Sequence, residues 1–139
     1  MLLWILPSYN EEHALPLVLN EIKSLLAISN LCVDVCIVDD GSSDRSKMIL
    51  EDYSNEYPSI LHISHSINIG VSGVLLTGFK IALKLGYDFL IQCDADGQHP
   101  IQSIPDLLKI ARERNHDLLI GSRFFKSDAK ANKDSMQRI

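Results

Sequence analysis

A chain of 139 residues is one domain's length at most, and its 46% hydrophobic content supplies the material for a buried core. The formal net charge of −5, with 13 Lys and Arg scattered singly against 18 Asp and Glu, argues against a nucleic-acid binder, which carries a basic patch. No apolar run reaches the roughly 18 residues that a bilayer-spanning helix needs, and Met1 leads into a short apolar run with no basic leader, so neither a membrane span nor a signal peptide is expected.

Short apolar runs alternate with longer segments of helical period. Leu2–Leu6 reads as a strand, and Glu11–Ile28 follows as a helix with Leu15, Val18, Leu19, Ile22, Leu25 and Leu26 on one face. Cys32–Val38 reads as a second strand, stopped by Asp39-Asp40-Gly41. Ser43 or Asp44 caps the next helix, which runs to about Tyr57 before Pro58. Ile60–Ser64 is a third strand, Val71–Leu85 a helix closed by Gly86, and Tyr87–Cys93 a fourth strand. Ser103-Ile104-Pro105 opens another helix, and Leu118–Ile120 reads as a fifth strand leaving through Gly121-Ser122-Arg123. From Lys126 the chain turns polar, with only Ala129, Ala131 and Met136 as apolar residues up to Arg138.

The order predicts an α/β fold. Continuous rather than alternating apolar strands imply a mainly parallel sheet buried on both faces, hence three layers with helices on either side. Cys32, Cys36 and Cys93 fall inside strand-like stretches, an odd set that reads as reduced, buried thiols of a cytosolic protein. Cys32 and Cys36 lack the second Cys or His pair that a metal site requires. His13, His62, His65 and His116 show no ligand spacing and read as surface or packing residues.

Ligands of an open parallel sheet bind beyond the carboxyl ends of its strands. Those ends carry Pro7-Ser8-Tyr9-Asn10-Glu11-Glu12, Asp39-Asp40-Gly41-Ser42-Ser43-Asp44, Asp94-Ala95-Asp96-Gly97-Gln98-His99 and Gly121-Ser122-Arg123. Asp94 and Asp96 share one side of an extended segment, and paired carboxylate oxygens suit a hard cation such as Mg²⁺ or Mn²⁺. Asp39-Asp40 reads either as a turn with a cap or as the acceptor of a nucleobase N–H. Tyr9 is either packing or a face on which that base stacks. Arg123 either is solvated or donates to phosphate oxygens as a bidentate pair. Asn68 and Gly70 form either a tight turn or a backbone approach to an anion at a helix start.

Together with Asn68-Ile69-Gly70 and Gly78, these clusters resemble family 2 glycosyltransferases of the GT-A fold. Asp94-Ala95-Asp96-Gly97-Gln98-His99-Pro100 and Gly121-Ser122-Arg123 are similar to the dolichyl- and polyprenyl-phosphate sugar synthase branch. The resemblance implies a Rossmann-like nucleotide-binding half of a GT-A domain over residues 1–125. It also implies a polar tail over 126–139, the start of an acceptor-side half that is missing through C-terminal truncation. It further implies that Pro7, Tyr9, Glu11, Val38, Asp40, Asp94 and Ala95 hold the nucleotide, and that Asp96, with Gln98 and Asp94, holds Mg²⁺ or Mn²⁺. Asp96 and Arg123 would carry the transfer itself. The activity implied is inverting transfer from a UDP- or GDP-sugar to a polyprenyl phosphate or a glycan, with the metal stabilising the leaving diphosphate. Membrane contact would come through the missing part, placing the protein in the cytoplasm or at the cytoplasmic membrane face. An incomplete fragment that binds nucleotide sugar without transfer is the alternative. A dinucleotide-dependent oxidoreductase needs G-x-G-x-x-G after the first strand, and Pro7–Glu12 contains no glycine. A sugar-nucleotide pyrophosphorylase wants a glycine-rich loop at the same place.

Overall fold

A computed structural model describes residues 1–29, 32–94, 101–114 and 117–121. The chain divides into two compact units, Met1–Ile101 and Gln102–Ile139. The first contains β1 (Leu2–Ser8), α1 (Leu15–Ser29), β2 (Val33–Asp39), α2 (Ser46–Glu56), β3 (Ile60–Ser64), α3 (Val71–Leu85) and β4 (Phe89–Gln92). The second contains α4 (Ile104–Arg114), entered through a 3-10 turn at Ile101–Ser103.

The four strands form one parallel sheet in the order β3-β2-β1-β4, with Leu2 beside Val33 and Phe89, and Val35 beside Ile60. The two crossovers through α1 and α2 step one way across the sheet, and the crossover through α3 returns past both strands to the far side of β1. Right-handed crossovers therefore place α1 and α2 on one face and α3 on the other. On the α3 face, Leu3, Ile5, Cys36 and Val38 close over Val74 and Ala82. The opposite set, Leu2, Trp4, Leu6, Val35 and Ile37, is equally buried. The expected three-layer α/β sandwich is the architecture found. Gly78 brings α3 onto β1: a Cβ there would stand 2.1 Å from Ile5 Cδ1, so glycine is what the packing admits.

α3 keeps the bounds read from its sequence, ending at Gly86 in the left-handed conformation. α1 starts four residues later than the apolar period suggests. Residues 11–14 form a turn in which the Glu11 carbonyl accepts the N–H groups of Ala14 (3.1 Å) and Leu15 (2.9 Å), and Pro16 sits in the first helical turn, where its missing N–H costs nothing. The expected fifth strand is absent: Leu118–Ile120 has no strand pairing, and Leu118 and Ile120 are exposed. A short apolar run becomes a strand only where a neighbouring strand pairs with it, and none among the described residues does so here. Cys36 and Cys93 are buried free thiols, each pushed up to about 11 by burial. Cys32 corrects the expectation of three buried thiols, since it precedes β2 and is exposed. No helix among the described residues is long and apolar enough to cross a membrane.

Candidate functional site

Strand order reverses between β1 and β4, and the carboxyl ends of these neighbours open the crevice in which such sheets take ligands. The loops that flank it are tied to one another. Asn10, at φ 55°, donates its backbone N–H to Ser42 Oγ (2.9 Å), and its side-chain oxygen accepts the Ser43 N–H (2.9 Å). Glu11 N–H reaches Ser46 Oγ (2.8 Å), Glu12 N–H reaches Asp44 Oδ2 (3.1 Å), and Glu12 Oε2 accepts the Arg45 N–H (3.0 Å). Asp44 also accepts the Ser46 N–H (2.9 Å), serving the start of α2 from one residue outside the cap position, which Arg45 holds. Burial raises the Asp44 carboxyl, but the Ser46 hydroxyl and the backbone donors outweigh it and hold the group below its usual range. Much of the Asn10-Glu11-Glu12 and Ser42-Ser43-Asp44 pattern thus serves to lock two loops together.

Asp39 and Asp40 are both buried. Asp39 accepts from Ser42 and from Ser64 Oγ (3.3 Å). Asp40 carries the denser network: its carboxylate accepts the N–H groups of Ile69 (3.0 Å) and Gly70 (2.7 Å) and faces His65 Nδ1 (2.8 Å). Burial pushes the Asp40 carboxyl up, yet the His65 hydrogen bond, the Ile69 and Gly70 N–H groups and the nearby His65 charge together hold it low. Asp40 therefore fills the anion position expected at the start of α3. A carboxylate offers about four acceptor sites, so three donors leave about one for a ligand. Gly41 makes the arrangement reachable: at φ +73°, a Cβ would stand 2.8 Å from the Ile67 carbonyl carbon and 2.9 Å from Asn68 N.

A cleft of about 320 Å³ opens among these loops, lined by Pro7, Ser8, Tyr9, Glu11, Asp40, Asn68, Gly70, Val71, Val74 and Asp94. Its volume is that of a small-ligand site. Five residues singled out from sequence, Pro7, Tyr9, Glu11, Asp40 and Asp94, thus share one wall system, with Asn68 and Gly70 beside them. Tyr9 is 48% exposed, so its ring is open to the cleft rather than packed in the core. Val38 is not among them: its side chain is fully buried in the core under α3, which leaves only its backbone for any ligand contact. Asp94 follows β4 and accepts from Gln92 Nε2 (2.9 Å). Ala95, Asp96, Gln98 and Arg123 lie outside the described residues.

Two features of this cleft mark a polar ligand. Ser8 Oγ is buried and has no hydrogen-bond partner among the described residues, an arrangement costly unless a ligand supplies one. The described lining also holds three carboxylates and no Lys, Arg or His. Oxygen donors of this kind suit a hard divalent cation, although no group of three ligating side chains exists among the described residues. His65 is the residue the sequence reading missed: it lies 3.0 Å from Thr77 Oγ1 as well as touching Asp40, a bridge from β3 to α3. Nothing in its spacing signals this, because its two partners are brought to it by the crossover.

The chain matches the description "Glycosyl transferase family 2" over residues 3–139. It is 37% identical over 121 residues to an undecaprenyl-phosphate mannosyltransferase of Micrococcus luteus, covering 87% of this chain and 47% of that protein. Identity to a polyprenol monophosphomannose synthase of Mycolicibacterium smegmatis is 34% over 123 residues, covering 86% and 44%. Among solved structures, a mannosyltransferase of Pyrobaculum calidifontis in complex with GDP-Man and Mn²⁺ shares the fold, with a TM-score of 0.65 at 19% identity over 79% of this chain and 32% of that one. The chain thus spans somewhat under half the length of these curated relatives.

Proposed function

We propose, from the premise that this chain belongs to glycosyl transferase family 2, that it binds a UDP- or GDP-sugar in the β1/β4 crevice for metal-assisted, inverting transfer to a polyprenyl phosphate. The observation that carries the reading is the cleft itself. Pro7, Tyr9, Glu11, Asp40 and Asp94 converge at the point where strand order reverses, around a buried hydroxyl that lacks a partner. The acceptor class comes from the relatives, whose names give undecaprenyl phosphate and polyprenol as the lipids that receive mannose.

Each described residue has a part in this reading. The exposed Tyr9 ring offers a stacking face for the base, and the remaining acceptor site of Asp40 takes a base N–H. Pro7, Glu11 and the backbone at Val38 complete the nucleoside wall. A diphosphate entering a cleft of three carboxylates needs positive charge to be held there. Asp96, with Gln98 and Asp94 from the same segment, would hold Mg²⁺ or Mn²⁺, Ala95 would contact the nucleotide, and Arg123 would add a bidentate contact to the diphosphate. When bound, the metal supplies electrostatic stabilisation of the leaving diphosphate. The acceptor phosphate oxygen is already ionised, so displacement at the anomeric carbon needs no general base from the protein. The acceptor lies at a membrane surface, and we place the reaction at the cytoplasmic face.

Calorimetric titration with GDP-mannose and with UDP-glucose, with and without Mn²⁺, tests the reading. Binding of one of them that strengthens at least tenfold with Mn²⁺ supports it, whereas equal affinity in both conditions removes the metal from the site. The chain spans 47% and 44% of its two relatives. That span favours a second reading, in which these residues bind donor and transfer depends on the remaining length. Incubation with donor, Mn²⁺ and undecaprenyl phosphate separates the two: turnover on the order of 1 s⁻¹ or faster supports the first, and donor binding without glycolipid product supports the second.

A further inference from the structure

The imidazole of His65 is held at both nitrogens: Nδ1 lies 2.8 Å from Asp40 Oδ1, and Nε2 lies 3.0 Å from Thr77 Oγ1. An ionised carboxylate only accepts, so Nδ1 carries a hydrogen. The Thr77 hydroxyl has one hydrogen, and the Gly73 carbonyl 3.1 Å away offers it the i−4 bond that threonine makes within a helix. Thr77 Oγ1 is left to accept, so Nε2 donates. An imidazole that donates at both nitrogens is an imidazolium.

The groups around the ring are acceptors. From β2, the buried Asp40 faces the ring directly, and the Asp39 carbonyl accepts the His65 backbone N–H at 2.8 Å. From α3, the ring meets the Thr77 hydroxyl, an uncharged acceptor. Within β3, His62 is turned to Ser64 Oγ at 2.8 Å. The ring itself is mostly buried, with 13% of its side-chain surface exposed, so solvent does little to screen the pair.

We infer that His65 is a cationic positioning residue, an imidazolium fixed between Asp40 and Thr77 that offsets the carboxylate charge which the cleft presents to an anionic ligand. It anchors the Asp40 carboxylate from behind while Ile69 and Gly70 hold it from the start of α3. Its place is outside the ligand wall, since the lining includes Asp40 but not His65. This inference rests on the reading that the ligand is a nucleoside diphosphate sugar.

The protonation state is measured without any ligand, by two-bond ¹H–¹⁵N correlation of the ¹⁵N-histidine-labelled chain at pH 7, with His65 assigned by loss of its signals in His65→Gln. Two nearly equivalent ring nitrogens are expected; a widely split pair, the pattern of a neutral tautomer, overturns the proposal. Thr77→Val removes the acceptor at Nε2 and is expected to split the pair, while Thr77→Ser retains the imidazolium pattern. The charge role is read from GDP and UDP with Mn²⁺, each against its nucleoside, guanosine or uridine. For whichever diphosphate binds, His65→Gln is expected to weaken it roughly tenfold and its nucleoside, which feels only the loosened Asp40, about two- to threefold. Equal weakening of both assigns His65 a purely structural part and overturns the charge role. If no nucleotide binds the unaltered chain, the proposed function fails, and the nitrogen spectrum still decides the state of His65.

Discussion

Two sides of one cleft are built on opposite terms. At Asp40, the protein satisfies its own buried carboxylate with His65, Ile69 and Gly70, leaving a ligand little to add. At Ser8 and Tyr9, a buried hydroxyl has no partner among the described residues and an aromatic ring stands open. The first side holds the loops after β2 and β3 in register, and the second is left for a guest to complete. Residues that look alike in a motif therefore differ in what their loss should do: one set should show in stability, the other in affinity.

The largest expected effect is on the self-satisfied side. Asp40→Ala leaves His65 and two backbone N–H groups without their acceptor and should cost about 3–5 kcal/mol, read as a fall in denaturation midpoint. The milder Asp40→Asn bears on pH. The Asp40 carboxyl is held low in the folded chain, so its contribution is present above the unfolded carboxylate value of about 3.9 and is lost as pH falls through its lower folded value. Acid titrations of the two chains should therefore converge below pH ~4, and parallel curves would show that the Asp40 network contributes nothing. Gly41→Ala comes next, at about 2–3 kcal/mol, because a methyl would press on the backbone at Ile67 and Asn68 from a left-handed conformation. A shift below 0.5 kcal/mol would break the claim that these loops must touch.

On the open side the order of readouts inverts. Tyr9→Ala should leave the midpoint within about 0.5 kcal/mol while weakening nucleotide binding by about 1–3 kcal/mol through lost stacking. Ser8→Ala should be neutral or slightly stabilising in the free chain, because it removes a buried hydroxyl with no partner, yet it should weaken the ligand by roughly 1 kcal/mol. A variant that lowers stability and affinity alike would move Ser8 to the other side of the comparison.

The elements were legible where one local signal dominated. α3 is bounded by Gly70 and Gly86, and its apolar period meets no competing turn, so its bounds read directly from sequence. α1 was read too early because Glu11–Ala14 continues the helical spacing while its backbone closes a turn. Leu118–Ile120 shows the opposite error: three apolar residues satisfy a strand pattern, but pairing is decided by a neighbour that no local window contains. The site follows the same division. The clusters that hold Pro7, Tyr9, Glu11, Asp40 and Asp94 could be located because strand ends converge in a parallel sheet, but the individual roles of Pro7, Glu11 and Val38 came from the family resemblance, and a motif alone did not place Val38 on core or cleft. His65 needed the crossover: its partners stand 25 and 12 positions away in sequence.

The contrast between the thiols has a consequence for following the fold over time. Cys32 is exposed, while Cys36 and Cys93 are buried and pushed up to about 11. An alkylating reagent near neutral pH meets one thiol at once and the other two only when the sheet parts, so the slow phase of labelling clocks core opening. Because Cys36 lies under α3 in the core that also holds Val38, that clock runs on the packing that carries Asp39 and Asp40 at the end of the same strand. Nucleotide that binds only the folded cleft should slow it, turning three ordinary cysteines into a reporter of occupancy that needs neither substrate turnover nor an engineered site.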